Sequence, residues 1–273
     1  MTSITKIIEA AAPLDIPVLV LDRPNPLGGI QIDGPIVRPA FQSFEGYHLV
    51  PIRHGLTAGE YILMINETGW AKDLARVNLT IIPMANWKRG MWQDNTHIPY
   101  IPSEPDIVSL EAHNAFVGMN LLKGTNLNIG HGTEKPFLRF GAPWISSDHV
   151  MEKLNSLELT GVEFTRIRYT PRMKQGAIIV PLYQNEECSG LEITITDRLE
   201  FSPLATATGI IITINQLYPR EFQWTGDGYI DKLFGHELLR TFSAQGKPAN
   251  YLPPLWFHDV VRFNEFRQQF LLY

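Results

Sequence analysis

The residues with the clearest chemical potential are Asp22-Arg23-Pro24-Asn25-Pro26, followed by Gly28-Gly29. They place an acid, a base and an amide in one short loop. Pro24 and Pro26 bias Arg23 and Asn25 toward extended backbone, so the loop is stiff. Such a set can hydrogen-bond the hydroxyls of a polar ligand and pair with its charge. The plainer alternative is a rigid surface turn closed by a local Asp–Arg pair. Arg53-His54-Gly55 offers a second cation and an imidazole, and Thr57-Ala58-Gly59-Glu60 follows with capping-box spacing. That cap accounts for Thr57 and Glu60 without any ligand. Gly124-Thr125-Asn126 and Gly132-Thr133 frame a glycine-rich turn that can bring backbone N–H groups close to a ligand.

These groups need elements to hold them. Val18–Leu21 is a continuous apolar run ahead of Asp22 and reads as a parallel strand buried on both faces. In open α/β sheets ligands bind beyond the carboxyl ends of strands, where the Asp22 loop sits. Ser3 can cap a first helix carrying Ile4, Ile7, Ile8 and Ala11, with Pro13 ending it. Residues 34–51 read as loop, and Val77–Ile82 as a second strand. Proline-rich Ile98–Asp106 reads as a domain linker. Beyond it, Val162–Thr165 and Leu191–Thr196 alternate as half-buried strands do. Helices are expected near Asp148–Leu157, Leu204–Leu217, Tyr229–Thr241 and Leu255–Phe270. The fold class is therefore α/β in the first part and α+β in the second, with a cleft expected between them.

Composition narrows the function. The 273 residues are 44% hydrophobic and 19% charged, as in a globular protein, and the formal net charge of −5 argues against nucleic acid as partner. No apolar stretch is long enough to span a membrane, and the first residues lack the pattern of a signal peptide. The single cysteine, Cys188, leaves no internal disulfide and reads as an inert buried thiol. His236-Glu237 lacks the second histidine of a zinc protease, because Arg240 stands there. Gly130-His131-Gly132-Thr133-Glu134-Lys135 lacks the ending of a phosphate loop, and no serine-hydrolase elbow is present. Trp70, Trp87, Trp92 and Trp144 could offer flat faces to a sugar ring, although each is an ordinary core or rim aromatic as well.

The ordered set is more specific than its parts. Asp22-Arg23-Pro24-Asn25-Pro26, Arg53-His54-Gly55-Leu56-Thr57, Ile82-Pro83-Met84 with Trp87, Gly124-Thr125-Asn126, Gly132-Thr133 with Pro136-Phe137, Gly141-Ala142-Pro143-Trp144, Thr196-Asp197-Arg198, Leu217-Tyr218-Pro219 and the terminal Leu271-Leu272-Tyr273 occur in sequence. Together they resemble the exo-β-N-acetylmuramidases of the NamZ type, a bacterial family of peptidoglycan glycosidases active in cell wall turnover. The resemblance implies removal of N-acetylmuramic acid from the ends of peptidoglycan fragments. It also implies a Rossmann-like domain, represented here by its C-terminal part at residues 1–102, and a smaller α+β domain at residues 103–273. No metal or organic cofactor is implied. Asp22 and Asn25 become candidates for sugar hydroxyls or the acetamido group, and Arg23 and Arg53 for the lactyl carboxylate. His54, Asn126, His131 and Thr133 complete the expected substrate-binding set.

The departures matter too. The family's early strands and its Glu-His-Gly and Asp-Ile-Gln-Asp-Val-Gly segments are missing, so the chain reads as truncated at its N-terminus. With that glutamate absent, Asp22 is the best remaining acid and the catalytic residue stays unknown. His131 stands where the family usually has arginine, Leu138 where a glutamate commonly follows Pro-Phe, and Glu104-Pro105-Asp106 replaces Ser-Pro-Asn. A separate chain supplying the missing half, a sugar-binding remnant without activity, and an inactive truncated product are the alternatives this leaves. The family's role points to the cell envelope or to recycled wall fragments in the cytoplasm.

Overall fold

A computed structural model describes residues 1–173 and 180–273. The chain divides into two compact units, one comprising Met1–Tyr100 with Phe257–Tyr273 and the other Ile101–Trp256. The first unit is therefore built from both ends of the chain.

The first unit opens with α1 (Thr2–Ala11), whose buried residues Thr5, Ile8 and Ala11 recur at helical spacing. Strand β1 (Val18–Leu21) follows, then the antiparallel pair β2 (Asp33–Ile36) and β3 (Pro51–Arg53). Helix α2 (Ala58–Thr68) starts at a complete capping box: Thr57 accepts from Glu60 N, and Glu60 accepts from Thr57 N. It ends where Gly69 turns left-handed at φ 68°. Strand β4 (Leu79–Ile82) pairs parallel with β1, Val18 opposite Leu79 and Leu21 opposite Ile82. Ile8, Leu56, Ile62, Met64 and Ile65 form the core, with Val20, Leu79 and Ile81 packed against it.

The β1 expectation needs correction. Its burial alternates instead of covering both faces: Leu19 is 62% and Leu21 68% exposed, while Val18 and Val20 are half-buried. Ile82 on β4 shares this open side at 46%. A parallel pair normally has both faces covered, and here α2 covers only one.

In the second unit, α3 (Leu110–Met119) is followed by β5 (Arg139–Ala142), α4 (Ser147–Asn155), β6 (Val162–Tyr169) and β7 (Cys188–Ile195). The strands make an antiparallel sheet in the order β5-β7-β6, with Phe140 opposite Leu191 and Phe164 opposite Ile193. Helix α5 (Pro203–Leu217) is the central support, with Leu204, Ala207, Ile210, Ile211 and Ile214 fully buried. The expected helix over Tyr229–Thr241 is two, α6 (Tyr229–Phe234) and α7 (Leu238–Ala244), because Gly235 is left-handed at φ 73°. Cys188 is buried, and burial pushes its thiol up to about 12. Helix α8 (Phe257–Arg267) then packs in the first unit against β2 and β3, and Phe263 joins that unit's core. The architecture is thus a mixed α/β two-part fold. No helix among the described residues is long and apolar enough to cross a membrane.

Candidate functional site

Three loops of the first unit meet at the N-terminus of α2: residues 22–29 after β1, 53–57 after β3, and 83–92 after β4. Asp22 lies at the junction and is 8% exposed. Its Oδ1 accepts from Gly59 N at 2.7 Å and Arg23 N at 2.9 Å. Its Oδ2 accepts from Thr57 Oγ1 at 2.7 Å and from the phenol of the terminal residue, Tyr273, at 2.8 Å. Four protein donors therefore fill the carboxylate. The helix N-terminus favours that negative charge as well. A side chain on Gly59 would place its Cβ 2.7 Å from the Asp22 carboxyl carbon, so only glycine permits this approach.

Glu60 is fully buried beside it. One oxygen accepts from Thr57 N at 3.0 Å. The other accepts from Leu272 N at 2.9 Å and pairs with Arg89 Nη2. Arg89 also donates to Gly55 O at 3.0 Å. Arg267 on α8 donates to Gly29 O at 2.9 Å, His54 O at 3.1 Å and Gly55 O at 3.2 Å. Burial and the neighbouring Arg89 charge lower the Arg267 guanidinium to about 10. Two cations thus clamp the carbonyls of both glycine turns. Gly55 is left-handed at φ 61°, and a Cβ there would meet Arg267 Nη1 at 2.5 Å.

The structure gives most of the sequence-nominated residues internal work. Asn25 donates to Leu56 O at 3.0 Å and accepts from Leu27 N at 3.1 Å, bracing its own loop. Arg53 is 6% exposed, donates to Leu27 O at 3.3 Å and lies over the Trp92 ring; burial lowers it to about 10. His54 Nδ1 accepts from Leu56 N at 3.1 Å, so the neutral ring carries its proton on Nε2, and burial first, then nearby positive charge, lowers it to about 4. Tyr273 also accepts from Met84 N at 2.8 Å, and burial is the main cause pushing its phenol up to about 12. Arg23 is the exception. Its side chain is exposed, with no hydrogen bond or ion pair among the described residues.

In the second unit, Asn126 donates to Glu221 O at 2.8 Å and accepts from Gln223 N at 2.9 Å. Thr133 is buried, donates to Gly130 O at 2.7 Å and accepts from Lys135 N at 3.1 Å. His131 differs, since neither ring nitrogen makes an aligned hydrogen bond, although Nδ1 lies 2.8 Å from Asp106 Oδ2. Of the tryptophans, Trp87 and Trp92 are buried, Trp70 stacks on Phe266, and Trp144 donates to Tyr183 Oη at 3.0 Å. Among the described residues no cluster of three or more His, Cys, Asp or Glu side chains could hold a metal. Arg89, Arg267 and Lys123 went unnoticed in the sequence. Lone basic residues carry no spacing signal, and only the tight glycines opposite the two arginines hint at them.

Comparisons with known proteins agree with this architecture. The N-terminal model of the exo-β-N-acetylmuramidase NamZ family matches residues 1–111, and its C-terminal model matches residues 114–273. A Bacillus subtilis protein named peptidoglycan β-N-acetylmuramidase NamZ is 36% identical over 266 residues, covering 97% of this chain and 62% of its own. The chain therefore spans less than two thirds of that relative. Crystal structures of two DUF1343 family proteins from Bacteroides fragilis superpose with TM-scores of 0.90 and 0.80, at 28% and 29% identity. They align with 100% and 99% of this chain and 70% of each of theirs. On the match of both family models across nearly its whole length, the chain belongs to the exo-β-N-acetylmuramidase NamZ family.

Proposed function

We propose that this chain takes part in removing terminal N-acetylmuramic acid from peptidoglycan fragments, as an exo-β-N-acetylmuramidase. The observation that carries the reading is the 36% identity, over 97% of the chain, with a protein named for that activity. The rigid loop cluster at the start of α2 is consistent with it, because pre-organised loops hold a sugar without first being ordered. Asp22 and Asn25 build that cluster rather than touch the sugar. Arg53 is likewise spent on Leu27 and Trp92. Within that loop cluster, Arg23 is the exposed cation left to meet the ligand.

A specific observation favours a division of labour. Glycoside hydrolysis ordinarily uses a protonated carboxyl group to assist the leaving oxygen. Asp22 and Glu60 accept donors on both oxygens, so neither offers a proton to a ligand. The open face carrying Leu19, Leu21 and Ile82 suits a polypeptide that covers the β1–β4 pair and brings the acid with it. Release of N-acetylmuramic acid from a chromogenic muramide tests the reading. Turnover is expected when the chain is supplied with the part of its Bacillus relative that it does not match. Muramide binding without turnover under those conditions would replace hydrolysis with sugar binding, and neither binding nor turnover would end the proposal.

A further inference from the structure

The second unit holds a cavity of about 310 Å³ that the preceding reading does not use. Leu127 and Ile129 form its buried wall, and Val180 and Leu182 its exposed rim, at 59% and 48% exposure. Two basic groups enter it, Lys123 and His131. Lys123 Nζ lies 5.9 Å from the centroids of both Phe116 and Phe137, with no carboxylate paired to it among the described residues. The His131 ring meets Phe137 edge-on at 5.1 Å, with Nδ1 turned to Asp106 Oδ2 at 2.8 Å, which leaves Nε2, buried without a partner, as the nitrogen open to a ligand. A buried, unpartnered ring nitrogen and a half-buried, unpaired ammonium in an apolar cavity are costly unless something satisfies them.

The backbone is held in a costly shape at the same place. Phe137 is left-handed at φ 64°, which a bulky residue rarely adopts. It is fully buried, and its N–H donates to Ile129 O at 2.8 Å. That strain sets the ring against which both Lys123 and His131 rest. Strain retained by the surrounding structure is a mark of ligand sites.

We propose that this cavity binds a carboxylate flanked by a methyl group, with Lys123 and His131 on the anion and Leu127, Ile129, Val180 and Leu182 on the apolar arm. Two sources in peptidoglycan share this chemistry: the lactyl ether of muramic acid and the terminal alanine of a stem peptide. The choice of these two sources rests on the proposed function, whereas the anion preference does not.

Methyl-resolved NMR of the full chain, reading the Val180 and Leu182 methyl groups, tests it. The probes are N-acetylmuramic acid, N-acetylglucosamine, which lacks the lactyl group, and D-alanyl-D-alanine. One of the two acids is expected to shift these methyls saturably while N-acetylglucosamine does not, and the acid that binds more tightly identifies the source. Lys123→Met, which keeps an apolar stem between the two phenylalanines, is expected to weaken that acid about tenfold or more. Leu182→Glu, at the exposed rim, is expected to weaken it too without disturbing the fold. Equal response to N-acetylglucosamine, no response to either acid, or unchanged affinity in Lys123→Met would overturn the site. Hydrolysis of the muramide is read separately, so acid binding without turnover would refute the enzymatic reading and leave this pocket standing.

Discussion

Asp22→Asn separates a carboxylate that organises the loops from one that touches a ligand. The native side chain takes two N–H donors on Oδ1 and two hydroxyl donors on Oδ2. An amide keeps one oxygen and turns the other position into a donor. The best placement leaves the oxygen toward Gly59 N and Arg23 N and points the NH₂ at Thr57 and Tyr273, whose hydroxyls can rotate. Each hydroxyl then needs a new acceptor for its own proton. Two charge-assisted bonds fall to neutral ones, two are rearranged, and the favourable charge at the start of α2 disappears. With about 1.5–3 kcal/mol for a hydrogen bond to a charged group against about 1 for a neutral one, and about 0.3–1 kcal/mol for charge at a helix N-terminus, the loss comes to about 1.3–5 kcal/mol before the two rearranged hydroxyls are counted. Native-state hydrogen exchange at the amides of Gly59 and Arg23, alongside urea denaturation, measures it locally and globally. A loss below about 1 kcal/mol, combined with abolished muramide binding, would refute the reasoning and return Asp22 to the ligand.

Three further outcomes follow from the same contacts. Gly55→Ala should cost about 2–4 kcal/mol in urea denaturation, since it adds a left-handed penalty to displacement of Arg267 Nη1; a neutral result would mean that the arginine clamp yields freely. His48 is 3% exposed with its ring nitrogen 2.9 Å from Thr5 Oγ1, and burial lowers it to about 4. The unfolded chain therefore binds the proton first, so stability is full above about pH 6.5 and falls as pH drops toward 4, by about 3 kcal/mol from this group; a pH series of denaturation midpoints should lose part of its slope in His48→Gln, with His54, also lowered to about 4, supplying the remainder. Asn114 on α3 is 1% exposed, and neither amide atom has a partner among the described residues. Asn114→Leu, of similar shape, should raise stability by about 1 kcal/mol or leave it level; a loss of several kcal/mol would reveal an unseen partner for that amide.

How much could be read from the chain alone depended on whether a signal was local. The capping box at Thr57–Glu60 and the strand at Val18–Leu21 are written in adjacent residues, and both formed, although β1 has one face open where the apolar run implied two buried ones. The break at Gly235 is local too, but helical periodicity on either side of it masks the left-handed turn. Helix α3 escaped because its burial follows packing against α5, where Gly118 lies so close to Pro203 that a Cβ would clash with its carbonyl. β2 and β3 escaped because three- and four-residue strands show little alternation, and what covers them is α8, more than 200 positions later. The site residues divide along the same line. Residue types at Asp22, Asn25 and Arg53 announced polar chemistry, but the partners that occupy them are fixed by tertiary structure.

That occupation bears on where ligand contacts are to be sought. A polar side chain saturated by protein donors gains little by exchanging them for a ligand's, because the group left behind must then be satisfied elsewhere. Asp22 and Glu60 are in this position, each with both oxygens engaged, while Asn25, Asn126 and Thr133 spend one donor and one acceptor on the protein. Among the described residues, Arg23 at the tip of the first loop and Lys123 in the cavity of the second unit are cations with no carboxylate against them, and His131 in the same cavity keeps Nε2 without a partner while its Nδ1 faces Asp106. On the proposed function, Arg23 and Lys123 are the cations through which a chain with a formal charge of −5 would select an acidic ligand locally. On that function, N-acetylmuramic acid differs from N-acetylglucosamine by one lactyl ether, a methyl group and a carboxylate together, so discrimination between the two falls to an unpaired cation set beside an apolar wall.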